Sequence, residues 1–474
     1  MQAPNETSAV RQAFDVLRKA AGDKPYLDAD EREDLLSRLI SLLQQHEQAF
    51  VDAISDDFGY RVRLESLIAD VMVPIDGARY ARAHVREWMQ RRPVSTSPLF
   101  LPSHAFVEPV PLGVVGVIAP WNYPVDLALG PAIAALAAGN RVLLKPSELT
   151  PKTSALLASA VSEFFKPDEL VVVEGGVDVA REVTALPFDH LLFTGSTAVG
   201  KHVARAAAEN LVPTTLELGG KSPVLVHDSY SVSRAAERVA LGKTFNAGQT
   251  CIAPDYLLVP KAKEAAFVSA LKEKLLKQHP AGEGFTSMAS EKGRARMQAL
   301  VDDAKAKGAT VTETFKPKEG SRAFGPLILT NVTDEMLVMQ EEIFGPILPI
   351  ETYERLDDAF KKINARPRPL AFYYFDNDEE RVDAALKRVT SGGVVINDTL
   401  AHFAQEELPF GGVGPSGMGA YHGVRGFETF SHLRGVMHAS RGSPAYNLLK
   451  PPFNALVTKT IEVLVRGVRG LVSK

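Results

Sequence analysis

Between residues 113 and 260 the chain repeats one pattern: a short unbroken apolar run, then a stretch with helical spacing. The runs are "GVVGVIA" (113–119), "RVLLKPS" (141–147), "LVVVEGG" (170–176), "HLLFTGS" (190–196), "TTLELGG" (214–220), "SPVLVH" (222–227) and "DYLLVP" (255–260). Apolar runs of this length, without alternation, are what strands buried on both faces look like. Helical stretches separate them at 127–140, 153–165, 199–211 and about 231–246. Strands that alternate with helices build a mostly parallel, doubly wound sheet. Further runs at 370–377 ("LAFYYFDN") and 393–398 ("GVVIND") continue the pattern. A chain of 474 residues exceeds what one core holds, so two such α/β domains are expected.

The flanks differ. Residues 8–92 read as helices, with Leu35, Leu36, Leu39, Ile40, Leu42 and Leu43 recurring at helical spacing. Residues 91–111 are rich in Pro and Ser and predict an excursion with extended edge strands. A net charge of −4 leaves no basic footprint for nucleic acid, and one cysteine excludes an intrachain disulfide framework. The first twenty residues lack a signal-peptide pattern, and no apolar run is long enough to span a bilayer. A cytoplasmic setting is expected.

Several motifs sit where strands end. "PWNYP" (120–124) follows the first strand, and the Asn122 amide is a candidate donor to a developing oxyanion; an Asn in a Pro-bracketed turn is the structural alternative. "KPSE" carries Lys145 and Glu148 at the carboxyl edge of the sheet, where ligands of such folds bind; a solvated charge pair is the alternative. "GSTAVG" (195–200) joins a strand to a helix whose N-terminus offers free N–H groups. A literal G-x-G-x-x-G occurs at Gly412, Gly414 and Gly417, but its flanks make a poor strand and a poor helix, so a closely packed loop is expected. Glu217 in "LELGGK" is a candidate general base, and "EEIFGP" offers Glu342 with Phe344 beside it. Cys251, in "FNAGQTCIAPDY", is the only cysteine; by itself it reads first as a small apolar side chain.

Taken in order, "PWNYP", "KPSE", "FTGSTAVG", "LELGGK", "GQTC", "EEIFGP" and "PFGGVGPSGMG" resemble the aldehyde dehydrogenase superfamily over residues 8 to 440. "CIAPDY" and "GAYHGVRGFETFSH" look like its class 3 branch, and "PLGVVGVIAPWNYP" with "LPFDHLLFTGSTAVGKHV" looks most like the bacterial coniferyl-aldehyde dehydrogenases. The resemblance implies an aldehyde-dehydrogenase-like α/β fold: two doubly wound domains plus a small β oligomerisation element. Residues 1–91 and 112–218 would form the NAD-binding domain and 219–398 the catalytic domain. Residues 92–111 and 399–440 would supply the oligomerisation and bridging strands, leaving 441–474 as an amphipathic tail. It implies Cys251 as nucleophile, Glu217 as base, and the Asn122 amide with the Cys251 N–H as oxyanion hole. Trp121, Lys145, Glu148, Gly195, Ser196, Gly200, Glu342 and Phe344 would meet the cofactor. That cofactor would be NAD, with NADP accepted less readily, and no metal. The substrate would be a hydrophobic aldehyde, aromatic or aliphatic, oxidised to the acid; Tyr123 and Phe403 point to an apolar tunnel. A cofactor-independent cysteine acyl hydrolase and a non-catalytic relative are the alternatives. A homodimer is expected.

In the tail, Phe453, Val457, Ile461, Leu464, Val468 and Leu471 fall on one helical face and Lys459, Glu462, Arg466 and Arg469 on the other. Such a helix either docks on its own protein or partner, or lies on a membrane surface.

Overall fold

The computed structural model describes residues 8–282, 284–317 and 320–471. Helices open the chain: Ala9–Asp23, Ala29–Gln45, Glu47–Phe58 and Val73–Trp88. The second starts at a capping box in which Asp28 and Glu31 satisfy each other's backbone N–H groups. Its expected apolar face, Leu35 through Leu43, is buried. A π-helical turn, Leu67–Met72, precedes the fourth.

Strands β1 (Arg92–Val94) and β2 (His104–Pro111) then form the predicted excursion. Five parallel strands follow: β3 (Val114–Ile118), β4 (Arg141–Lys145), β5 (Leu170–Val172), β6 (His190–Gly195) and β7 (Thr214–Leu218). The chain passes directly to β8 (Pro223–Val226) and, after the helix Val232–Thr244, to β9 (Tyr256–Pro260). Next come β10 (Thr310–Glu313), β11 (Leu327–Thr330), β12 (Ile347–Tyr353), β13 (Ala371–Phe375) and β14 (Gly393–Ile396). A two-residue return, β15 (Gly417–Met418), and the eight-residue β16 (Ser431–His438) follow.

These strands make three sheets. The first runs β15-β7-β6-β3-β4-β5, the second β10-β11-β12-β9-β8-β13-β14, and the third β1-β2-β16. In the first, β3 lies between β4 and β6, so successive connections leave it in opposite directions. That reversal opens a crevice at the carboxyl ends of the strands, the binding position of open α/β sheets. Only four residues separate β7 from β8, so the carboxyl edge of the first sheet faces the amino edge of the second. The site lies in that seam.

The Gly412–Gly417 loop adds β15 to β7, antiparallel, with Gly417 opposite Glu217. Gly417 has φ +146°, and a Cβ there would collide with the Leu216 carbonyl, which is why glycine stands at this edge. The tail forms a helix, Ala455–Leu471, as its periodicity predicts. Phe453 precedes it, and the side chains from 467 on, including Val468, Arg469 and Leu471, lie outside what the structure describes. Its described apolar side chains are not buried: Leu456, Val463, Leu464 and Val465 are exposed on more than one face. Among the described residues no helix is long and apolar enough to cross a membrane.

Candidate active site

Four strands of the first sheet deliver residues to the site. β3 runs out into Trp121 and Asn122, β4 ends on Lys145, β6 ends on Gly195, and β7 carries Glu217 near its end. Lys145 is buried, and its Nζ donates to Glu148 Oε2 at 2.7 Å. Burial alone would raise the Glu148 carboxyl; the bond and charge of the Lys145 ammonium, together with the Glu148 N–H, outweigh it and hold the group below its ordinary value. Ser196 caps the helix Thr197–Ala208, its Oγ accepting from the Val199 N–H at 3.4 Å. Gly200, one turn in, lets this helix close on β7: a Cβ there would sit 2.7 Å from a Leu218 methyl.

The second sheet presents loops that precede its strands. Cys251 lies before β9, and Glu342 and Phe344 lie before β12, its hydrogen-bonded neighbour. The loop ahead of Cys251 is bent through Asn246 and Ala247, both at φ +51°, a conformation non-glycine residues hold only when their surroundings fix it. Gln249 does that fixing. Its Nε2 donates to the Asn246 and Ser287 carbonyls, both at 3.0 Å, and its Oε1 accepts from the Ala289 N–H at 2.9 Å. The Glu342 loop is held by Lys221, which pairs with Asp255 and donates to the Val338 and Glu341 carbonyls. Arg296 adds bonds to the carbonyls of Glu342 and Ile343, both at 2.6 Å. Phe344, at φ +51°, sets its ring edge-on to Trp121 with centroids 5.5 Å apart.

Asn122 and the Cys251 loop are joined directly. Asn122 Nδ2 donates to the Gln249 carbonyl at 3.1 Å. A side-chain amide has two N–H groups, so this bond engages one of them. Glu217 is buried, and neither carboxylate oxygen has a partner in the protein. Desolvation therefore raises its pKa well above the ordinary value. Burial also pushes the partly buried Cys251 thiol up, with the charges of Glu342 and Glu217 adding to the effect; the N–H groups of Cys251 and Ile252 aim at the sulfur and oppose it. Glu342 is raised to about 8 by burial and by Asp255.

An apolar cavity of about 390 Å³ opens on Cys251, lined in part by Tyr123, Leu127, Phe245, Ile252, Leu400 and Phe403. Tyr123 shares a 2.5 Å hydrogen bond with Thr250, which leaves its ring as the apolar wall. Arg238 and Asp398, charged residues of the lining, stand 3.8 Å apart. The structure thus brings Trp121, Asn122, Glu217, Cys251, Glu342 and Phe344 together, while Lys145, Glu148, Gly195, Ser196 and Gly200 lie where strands of the first sheet end. The bracing by Asn246, Gln249, Lys221 and Arg296 was not foreseen; the placement of Asn246 and Gln249 on either side of "AG" before the cysteine was the only available signal. Among the described residues no cluster of His, Cys, Asp or Glu is arranged to hold a metal ion.

The model of the Aldehyde dehydrogenase family matches residues 2–436, and the chain belongs to that family. It is similar to the coniferyl aldehyde dehydrogenase of Pseudomonas sp. strain HR199, 44% identical over 471 residues and covering 98% of each chain. Among solved structures it is similar to AldH of Staphylococcus aureus in a substrate-bound state. That match has a TM-score of 0.91 at 35% identity over 97% of this chain and 100% of the other. It is also similar to an aldehyde dehydrogenase of Mycobacterium tuberculosis complexed with NAD+, with a TM-score of 0.82 at 28% identity over 90% of this chain and 89% of that one.

Proposed function

We propose that this aldehyde dehydrogenase oxidises a hydrophobic aldehyde, of the aromatic coniferyl kind, to its carboxylic acid with NAD. The observation that carries the reading is the meeting, in one seam, of the sole thiol, an unpartnered buried carboxylate at Glu217 and an apolar cavity that opens on the sulfur.

The residues fit a dinucleotide. Lys145 and Glu148 stand at the carboxyl edge of the sheet, paired with each other and placed to bind the hydroxyls of a ribose. Ser196 and Gly200 leave the start of a helix free of bulk. Glu342 Oε1 is buried with no partner, and a Cβ on Gly219 would collide with that carboxylate. A nicotinamide ribose would satisfy the orphaned oxygen, with Trp121 and Phe344 forming an aromatic wall beside it. NAD, when bound, supplies the acceptor for the aldehyde hydride.

The chain's own groups do the rest. The Cys251 thiolate attacks the aldehyde carbon and forms a thiohemiacetal. The Asn122 amide and the Cys251 N–H stabilise the new oxyanion; one such donor is worth roughly 3–4 kcal/mol. Collapse with loss of hydride leaves a thioester on Cys251. Glu217 takes a proton from water, and the hydroxide releases the acid and restores the thiolate. A cysteine hydrolase would pair the thiol with a histidine, and no histidine is among the cavity lining or the groups that shift Cys251.

Residues 1–91 and 112–218 are assigned to cofactor binding and 219–398 to catalysis, supported by the division of site residues between the first two sheets. We assign the third sheet to homodimer formation, supported by the outward Val94, Leu433 and Met437. The test is a panel of aromatic and aliphatic aldehydes with NAD+ and NADH detection. Highest kcat/KM is expected for aryl and cinnamyl aldehydes. A preference for acetaldehyde over all of them would overturn the substrate class.

A further inference from the structure

A buried ion pair lies behind the Asn122 loop. Arg61 and Asp70 are 1% and 0% exposed, with Nη1 and Oδ2 3.0 Å apart. Desolvating two charges costs more than their attraction commonly returns, so such a pair is weak as a source of stability. Its contacts show what it holds. Arg61 Nη1 donates to the Asn122 carbonyl at 3.2 Å, and the guanidinium lies 4.8 Å over the Tyr123 ring and 5.2 Å over Phe58. Asp70 Oδ1 accepts from the Val125 N–H at 3.0 Å and the Asp126 N–H at 3.4 Å. The pair therefore grips residues 122–126 at both ends. Burial pushes the Asp70 carboxyl up, and Arg61 with the two N–H groups pulls against it.

Two features show that the grip concerns Asn122. Asp70 sits on the π-helical turn Leu67–Met72, and single π turns recur where a helix re-aims a side chain at a functional site. The Asn122 carbonyl also accepts from Asn246 Nδ2 at 3.0 Å, and that same nitrogen donates to the Gln249 carbonyl at 3.1 Å, the oxygen that receives Asn122 Nδ2. Asn122 is thus clamped through its carbonyl by Arg61 and Asn246 and through one amide N–H by Gln249. The second amide N–H is left free of these partners.

We propose that Arg61 and Asp70 are positioning residues for the oxyanion donor: they fix the Asn122 backbone so that the free amide N–H meets the developing oxyanion at Cys251. This rests on the reading of Asn122 and Cys251 given above. Neither residue touches substrate. A misplacement of about 1 Å in a reacting constellation costs up to roughly 10²-fold, so a tenfold or greater loss is expected on releasing the clamp.

The test uses the full chain with NAD+ and benzaldehyde, in the wild type, Asn122→Ala, Arg61→Met and the double variant. Two rates are read: single-turnover NADH formation and alkylation of Cys251 by iodoacetamide, which develops no oxyanion. Asn122→Ala should slow NADH formation by about 10²–10³-fold. Arg61→Met should slow it at least tenfold while alkylation stays within about threefold, and the double variant should be no slower than Asn122→Ala by more than about twofold. Unchanged NADH formation in Arg61→Met, parallel loss of alkylation, or multiplied effects in the double variant would overturn the proposal. If Asn122→Ala itself is near wild type, the oxyanion reading fails first. Should Arg61→Met not fold, Asp70→Asn, which keeps an acceptor for Val125, is held to the same criteria.

Discussion

Glu217→Gln separates the two halves of the reaction. The side chain is buried with both oxygens unpartnered, and glutamine has the same shape, so the substitution breaks no contact within the protein. What is lost is the ability to take a proton from water, a contribution of about 10²–10⁴-fold. Attack by Cys251 and departure of hydride do not use that proton. Stopped-flow mixing with NAD+ and excess aldehyde should therefore give a burst of one NADH per chain within about threefold of the wild-type rate. A steady state slower by the full factor follows. The pH dependence carries a second signature. Burial holds the Glu217 pKa well above its ordinary value, and the base works only when ionised. Wild-type deacylation should thus fall as pH drops, starting from a higher pH than an ordinary carboxylate allows, and the variant should be slow and flat over the same range. A burst that shrinks in parallel with kcat would refute the assignment and make Glu217 the group that activates the thiol.

Cys251→Ala should lower aldehyde oxidation by several orders of magnitude with NAD+ affinity nearly intact by fluorescence titration; turnover within about tenfold of wild type would sink the nucleophile assignment. Because burial raises the thiol, iodoacetamide alkylation of the cofactor-free protein should be slow at neutral pH and climb steadily with pH beyond 9, without the plateau of a free cysteine. Glu148, kept ionised by Lys145, should favour NAD over NADP in kcat/KM by repelling a 2′-phosphate; parity would remove that role. Deleting residues 453–474 should spare a small aldehyde and change KM for bulky apolar ones. An unchanged profile with unchanged binding to anionic vesicles would leave only docking on a partner chain.

The strands were legible because each is a short apolar run buried on both faces, and the motifs were legible because they fall where those runs stop. The reversal at β3 was not, since strand order depends on crossovers that periodicity does not encode. The polar bracing was hidden for another reason. In "DFGYRVRLES" Arg61 and Arg63 look alike, yet one is buried against Asp70 and the other lies half exposed near Glu47. Nothing local marks the π turn that brings Asp70 inward. The tail shows the opposite case: its helix was readable from spacing, while the exposure of Leu456 and Val463 outside the expected stripe was not.

With Cys251 as the proposed nucleophile, a chain that holds one thiol is exposed to oxidants at that position. Hydrogen peroxide attacks thiolate, and a sulfenic acid at Cys251 would find no second cysteine in the chain with which to close a protective disulfide. Further oxidation to sulfinic acid would then be a dead end. The same burial that holds the thiol neutral is its shelter at rest. A bound nicotinamide, which is positively charged, favours the thiolate and removes part of that shelter. Susceptibility to oxidative damage should therefore track use: chains loaded with NAD+ and waiting for aldehyde age fastest, and idle ones persist.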